Sequence, residues 1–283
     1  MDFTKYASSG RYYTGAERKK GILIAGEAYI VKYAKDSPEG KTFSHVSEYL
    51  GSHLFEHAGL ETQQTMLGTC DGCDVVVMKD FISVHETFVP FNDVGDSSLE
   101  QDRERYTYDY EDIIRMLQEN TKLTNVEQTC ERFWDMYVVD AWIGNFDRHG
   151  ANWGFLKKDN RYRIAPIYDN GSSLFPKLNT DDKLQRILES EEEMNKRIYQ
   201  FPTSQILLDK RKSSYYEVIN SLQFAECNAA VCRLYHRIEK DWVERFINET
   251  PGLSDIRKKF YITMLDKRYE KMIREPYLKL CKE

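Results

Sequence analysis

Trp142-Ile143-Gly144-Asn145-Phe146-Asp147-Arg148-His149-Gly150-Ala151-Asn152-Trp153-Gly154-Phe155-Leu156, followed by Tyr168-Asp169-Asn170-Gly171, decides how the chain is read. An aspartate and, five positions on, an asparagine stand at opposite ends of a tight loop; a short apolar hairpin and an Asp-x-Gly follow. Trp153 to Leu156 and Tyr162 to Ile167 predict two strands around the reversal Lys157-Lys158-Asp159-Asn160. That hairpin brings Asp169 back beside Asn152, and Gly171 supplies the backbone freedom for a sharp exit. Phosphoryl transfer needs this set: one carboxylate for the proton of an attacking hydroxyl, and two oxygen ligands for magnesium ions that bridge phosphates. An Asp-Asn-Gly turn alone is common in loops. Its distance from Asp-Arg-His-x-x-Asn is what carries the reading.

Asp147-Arg148-His149-Gly150-Ala151-Asn152 with Asp169-Asn170-Gly171 resembles the catalytic core of the HipA-like serine/threonine kinases. Phosphoinositide kinases share the Asp-Arg-His-x-x-Asn loop, whereas eukaryotic-type protein kinases carry His-Arg-Asp and match only in the spacing from Asp to Asn. The flanks Val139 to Asn145 and Tyr168 to Leu174 favour the HipA-like side. The resemblance implies an α+β, two-lobed protein-kinase-like fold. A small β-rich N-lobe, with a nucleotide-covering loop, strands and one helix, is expected over 1–83. A larger, mainly helical C-lobe with the catalytic loop and the metal-binding Asp-Asn-Gly is expected over 84–283. It also implies ATP and Mg2+, with Asp147 as catalytic residue and Asn152 and Asp169 as metal ligands. HipA proteins carry an additional N-terminal subdomain, for which the residues before Gly15 leave no room. The likeness is therefore to shorter, free-standing HipA-like kinases, which leaves HipA's antitoxin and operator-DNA association open here.

Upstream, the basic loop Tyr12 to Gly21 precedes Ile22-Leu23-Ile24, the turn Ala25-Gly26-Glu27 and Tyr29 to Tyr33. Strand, turn and strand are what a loop over a nucleotide requires as support. The loop has neither the P-loop nor the Gly-x-Gly-x-x-Gly pattern. Its likeness to the Gly-Ala-x-x-Lys loop of HipA-like kinases marks Gly15 and Ala16 as nucleotide contacts. Lys32 ends the apolar strand Ala28 to Val31, as the phosphate-binding lysine does in kinases; a strand lysine is otherwise usually a solvated edge residue. Helical spacing of Val46, Leu50, Leu54 and Phe55, with Gly59 as C-cap, predicts a helix whose first turns hold Glu48, placed to pair with Lys32. The alternative is a carboxylate facing solvent near a helix N-terminus, which the dipole favours. Cys70-Asp71-Gly72-Cys73 reads as a hairpin tip rather than a zinc or redox motif. Val75 to Met78 is a buried strand leading to Met78-Lys79-Asp80-Phe81, where a hinge would offer backbone groups to adenine. Met78 and Asp80 are candidates there by order alone.

At 283 residues, with 41% hydrophobic and 30% charged residues, the composition is that of a soluble globular protein with a substantial core. A net charge of -6 argues against bare nucleic acid or an anionic membrane as principal partner. Met1 to Lys5 opens no secretory h-region and no apolar run approaches a membrane span, so a cytoplasmic setting is expected, in which thiols stay reduced.

Residues 84 to 108 are polar and acidic and predict a mobile insertion. Ile113, Ile114 and Leu117 mark one helix; Cys130, Phe133, Trp134, Tyr137 and Ala141 mark the next, which delivers Asp147. Asp140, an acid within an apolar stretch, needs donors, from loop amides or His149, and is expected to orient the catalytic loop. Arg148 meets either a phosphate or a structural carboxylate. Ser172 to Gln205 resembles an activation or substrate segment. Val231, Leu234, Tyr235, Ile238, Trp242 and Phe246 form one core stripe; Phe260, Met264, Leu265 and Met272 contribute to another.

The expected function is ATP- and Mg-dependent transfer to a protein serine or threonine. The resemblance to HipA-like kinases also implies autophosphorylation near Ser8, Ser9, Tyr12 and Thr14. The alternatives are a phosphoinositide or small-molecule kinase, against which no basic patch or amphipathic anchor stands out, and a nucleotide-binding pseudokinase module. The sequence names no regulatory or antitoxin partner.

Overall fold

The structure, a computed structural model, describes residues 1–13, 18–95, 109–208 and 210–282. Strands β1 (Lys19–Ile24) and β2 (Glu27–Tyr33), the short pair β3 (Asp36–Ser37) and β4 (Gly40–Lys41), helix α1 (Ser44–His57), and strands β5 (Thr65–Cys70) and β6 (Cys73–Lys79) form a β-rich region. Strand β7 (Thr87–Pro90) and helix α2 (Phe91–Gly95) lead to α3 (Tyr110–Glu119), α4 (Val126–Ile143) and the hairpin β8 (Gly154–Lys158) and β9 (Arg161–Ile164). Helices α5 (Asp181–Glu189), α6 (Glu191–Asn195), α7 (Tyr215–Ser221), α8 (Ala225–Arg237), α9 (Lys240–Glu249), α10 (Asp255–Tyr269) and α11 (Glu275–Leu280) follow, with π-helical turns at Lys196–Gln200 and Glu270–Arg274. A small sheet region and a larger helical region give the α+β, two-lobed architecture that the motif implied.

The first sheet is antiparallel in the order β1-β2-β6-β5, so β2 is internal and Lys32 is no edge residue. Side chains alternate across a strand. Val31 and Tyr33 pack with Val75, Val77 and Phe3 on one face, and Lys32, paired in register with Val76, points to the other, where α1 lies. Both faces of the sheet are thus covered, which explains the unbroken apolar run Val75 to Met78.

The N-terminal segment covers both sheet edges. The Phe3 and Thr69 amides donate to Thr69 O and Met1 O at 2.8 and 2.9 Å on the β5 side. The Ser9 and Leu23 amides donate to Gly21 O and Ala7 O at 3.0 and 2.9 Å on the β1 side. Phe3 is fully buried beneath. Gly68 permits this approach: a Cβ there would lie 2.4 Å from Met1 O and 2.5 Å from the Phe3 ring.

Three sequence expectations change. Part of the segment expected to be a mobile insertion is ordered, because Thr87 to Pro90 pair with Gly154 to Lys157 as the outer strand of a β7-β8-β9 sheet; residues 96–108 lie outside the described residues. The stripe from Val231 to Phe246 is two helices, α8 and α9, separated at Ile238 and Glu239. Most of the expected activation segment is helical, with α5 and α6 following a short loop.

Cys70 and Cys73 close the β5-β6 hairpin around Asp71 and Gly72, at φ 52° and 72°. All six cysteines are free thiols. Among the described residues no His, Cys, Asp and Glu cluster of three or more could hold a metal, and no helix is long and apolar enough to cross a membrane.

Candidate active site

Helix α4 ends at Gly144, whose left-handed φ of 68° turns the chain into the catalytic loop. The Asn145 amide donates to Asp140 O at 2.9 Å, and Asn145 Nδ2 donates to Asp140 Oδ1 at 2.8 Å. Asn145 Oδ1 in turn accepts from the Asp147 amide at 3.1 Å, and Asn152 Nδ2 donates to Asp147 O at 2.7 Å. Asp147 therefore sits on a backbone fixed from both ends, with its side chain 45% exposed and open to the cleft. Burial pushes its carboxyl above the ordinary aspartate value, opposed by His149 and reinforced by Asp169.

Arg148 is the hub beneath. It is buried and donates from Nε and Nη2 to Asp140 at 2.8 and 3.1 Å, from Nη2 to Asn170 Oδ1 at 2.6 Å, and from Nη1 to Asn152 O at 2.9 Å and Tyr168 O at 2.5 Å. Asp140 thus finds its donors in the Arg148 guanidinium and in a loop amide, the side chain of Asn145, and of the two roles open to Arg148 the structure takes the structural carboxylate. Burial works against the guanidinium charge, but the Asp140 carboxylate more than offsets it, and the Arg148 pKa is raised. Tyr215, which donates to Asn145 O at 3.0 Å, and Gln205, which donates to Phe146 O at 2.9 Å, support the loop from the helical side. Sequence reasoning missed both, since nothing in their neighbourhood marks them.

The hairpin leads on to Asp169, and Arg148 Nη1, bonded to both Asn152 O and Tyr168 O, joins the two segments. Ile167 also bonds back to the segment after α1, through Gln63 N to Ile167 O and Ile167 N to Glu61 O, each 2.8 Å. Lys32 Nζ then stands 3.1 Å from Glu48 Oε2 and 3.0 Å from Asp169 Oδ1. Glu48 Oε1 accepts from the Asn170 amide at 2.7 Å, and Asn170 Nδ2 donates to Ser52 Oγ at 3.1 Å. Burial drives the Glu48 carboxyl up against the pull of Lys32. Burial also opposes ionisation of Asp169, but the Lys32 ammonium outweighs it and holds Asp169 below its ordinary value. Lys32, Glu48 and Asp169 therefore form one cluster joining sheet, helix and loop.

The reason for Gly171 differs from the sequence expectation. The left-handed conformation falls on Asp169 itself, at φ 55°, a strained placement of a kind that gathers at functional sites. Gly171 is not left-handed; a Cβ there would stand 3.2 Å from Glu48 Oε2 and 3.5 Å from Lys32 Nζ. It is small because the ion cluster closes over it. Gly51 on α1 likewise lets the helix approach, a Cβ there falling 2.6 Å from Asn170 Cβ.

Of the other candidates, Gly15 and Ala16 lie outside the described residues. Met78 is buried in β6 opposite Ile30 and Thr65. The Asp80 amide donates to Ala28 O at 2.9 Å, while its carboxylate accepts from Arg11 at 2.5 Å and Tyr13 at 2.9 Å, tying down the chain just before the Gly15 loop. Phe81, Phe88 and Tyr168 form an aromatic cluster between this segment and Asp169, with centroids 5.3–6.0 Å apart.

The donor set fits a hard divalent cation. Asn152 Nδ2 is spent on Asp147 O, leaving its side-chain oxygen, and the Asp169 carboxylate is ionised with the side chain 39% exposed. Two oxygen donors with the remainder from phosphates and water is how magnesium is usually held in such sites.

Residues 13–247 match the HipA-like C-terminal domain family. The chain belongs to that family. It is 35% identical over 269 residues to the serine/threonine-protein kinase CtkA of Helicobacter pylori (strain J99), covering 92% of this chain and 82% of the relative. The crystal structure of the H. pylori proinflammatory kinase CtkA superposes with a TM-score of 0.92 at 33% identity, over 100% of this chain and 98% of the other. Shewanella oneidensis HipA, solved with HipB and operator DNA, shares the fold alone, with a TM-score of 0.58 at 14% identity over 96% of this chain and 68% of that one. This HipA-like chain is an enzyme of the phosphotransferase class.

Proposed function

We propose that this HipA-like enzyme transfers the γ-phosphoryl group of ATP, with Mg2+, to a serine or threonine hydroxyl of a protein, and that it also autophosphorylates. The observation that carries the reading is Lys32 set between Glu48 and Asp169 at 3.1 and 3.0 Å. A buried ammonium shared by two carboxylates, one of them beside an asparagine-bearing loop, is the charge arrangement that phosphoryl transfer uses.

Asp147 orients the acceptor hydroxyl and takes its proton. Its raised pKa makes it the stronger base, while Asn145 and Asn152 fix its position. Asn152 and Asp169 would hold magnesium, which would supply charge neutralisation at the phosphates. Lys32, kept in place by Glu48, adds positive charge to the same oxygens. Gly15 and Ala16 are assigned to the nucleotide by the family resemblance, Asp80 fixes Arg11 and Tyr13 just before them, and the Met78–Asp80 segment borders the base. Rate enhancement comes from positioning and charge, with no covalent enzyme intermediate. The net charge of -6 favours a protein acceptor over nucleic acid or a membrane surface, in the cytoplasm.

The test is incubation with labelled ATP and magnesium beside Asp147→Asn. Label on serine or threonine in the wild type alone, located by mass spectrometry, supports the reading. Label moving only to lipid or another small molecule, or nucleotide binding without transfer, overturns it. Ser8 and Ser9, which border β1, are sites to inspect for self-labelling; Thr14 lies outside the described residues.

A further inference from the structure

Most large apolar side chains of the described residues are covered. Phe201 is 47% exposed, and of the exposed ones it is the one whose ring meets the residue next to Asp147. The Phe146 and Phe201 ring centroids are 5.9 Å apart, and Phe201 rests on buried Phe175 at 6.1 Å. The ledge is held firmly: the Phe201 amide donates to Lys196 O at 2.9 Å, and Gln205 fixes the Phe146 carbonyl. Lys177, exposed, stands with Nζ 5.6 Å from the Phe146 centroid, where the ring face favours its charge. Exposed single apolar residues are ordinary. An aromatic step continuous with the catalytic loop and flanked by the Lys177 ammonium, on a chain of net charge -6, is not.

We propose that Phe146, Phe201 and Lys177 form the specificity ledge of the acceptor site, taking a protein segment whose serine or threonine is flanked by a bulky apolar side chain and, close by, a carboxylate. This rests on the kinase reading above. The two rings receive the apolar side chain and desolvate it, while Lys177 meets the acid. The hydroxyl between them is thereby brought to Asp147, so selection acts on the acceptor and leaves the nucleotide side alone.

The experiment is a set of serine peptides that vary one flanking position between Phe, Leu, Gly and Lys and another between Asp, Ala and Lys. Each is assayed for kcat and KM with wild type, Phe201→Ala, Phe201→Leu and Lys177→Ala, with ATP affinity measured separately. Wild type is expected to favour an apolar flank by about tenfold in kcat/KM over glycine, the scale of a filled apolar subsite. Phe201→Ala abolishes that preference through peptide KM and Phe201→Leu keeps most of it, with ATP affinity the same in both. Lys177→Ala loses only the preference for acid, about fivefold at low salt. Transfer to all peptides alike, or preferences that survive both alanine variants, overturns the ledge while leaving the kinase reading in place. Nucleotide binding with no transfer to any peptide overturns both.

Discussion

Arg148 and Asp140 meet in a two-point ion pair at 2.8 and 3.1 Å, both buried, directly under the catalytic loop. A buried pair gives modest net stability but is costly to break from one side. Asp140→Ala strands the guanidinium and is expected to cost about 3–5 kcal/mol in urea denaturation, with Asp140→Asn milder because it keeps an acceptor. A loss under about 1 kcal/mol would mean that the backbone carbonyls alone hold Arg148.

Lys32 supports both stability and charge stabilisation, and the two can be separated. Lys32→Met leaves Glu48 buried against Asp169, so it should lower both stability and kcat/KM, the latter by about 10²–10³-fold. Adding Glu48→Gln removes the uncompensated carboxylate. The double variant is expected to recover most of the thermal midpoint while activity stays low, a coupling that a double-mutant cycle reads directly. Recovery of activity along with stability would remove Lys32 from the chemistry.

Burial raises the pKa of Asp147 because it disfavours the charged form. Protonated Asp147 is an inactive base and persists to higher pH than for an ordinary aspartate. The acidic limb of the kcat/KM profile should therefore lie above the usual aspartate range, near 4. Asp147→Asn should lower kcat by about 10²–10⁴-fold. An acidic limb at the ordinary carboxylate position would place the proton acceptor elsewhere.

His57 stacks on Trp242 at 4.0 Å and accepts the Glu239 amide at Nε2, 3.0 Å, so it is needed neutral. Burial lowers its pKa, against Glu239, so the unfolded chain binds its proton first as pH falls. Its contribution is complete above the unfolded value of about 6.5 and is lost as pH drops from there through the folded value. His57→Gln is expected to flatten the fall in thermal midpoint between about pH 7 and 5. An unchanged slope would assign that loss to other groups.

Gly68 has no room for a side chain, with Met1 O and the Phe3 ring within 2.5 Å of any Cβ. Gly68→Ala should push the N-terminal segment off β5 and cost about 1–3 kcal/mol, as overpacking does. Faster proteolytic release of residues 1–9 checks the direction. Equal protection would show the segment to be held from the β1 side.

The sequence was legible wherever chemistry and spacing coincide. Asp147, Asn152 and Asp169 stood out by their interval around a hairpin, and Lys32 with Glu48 by the resemblance to kinases; the structure joins Asn152 to the Asp147 backbone and Lys32 to both Glu48 and Asp169. What stayed hidden depends on contacts across the chain. Arg148 could have met a phosphate or a carboxylate until the loop closed it on Asp140. Gly171 looked like a turn residue, yet its smallness serves Lys32 and Glu48, and the left-handed turn fell two positions earlier, on Asp169. Thr87 to Pro90 sat in a polar stretch and gained strand structure only from distant β8. The stripe from Val231 to Phe246 kept its period across a real break, because successive helices facing one core continue the pattern.

The doubly bonded N-terminal segment orders events during synthesis. Met1 to Ser9 leave the ribosome before any strand they border has been made, and the carbonyl that receives the Phe3 amide belongs to Thr69. Until that residue emerges, Phe3 has no cavity to fill and the flanks of the nascent sheet lie bare to other chains. Residues made before the edges they cover are thus seated only after those edges exist.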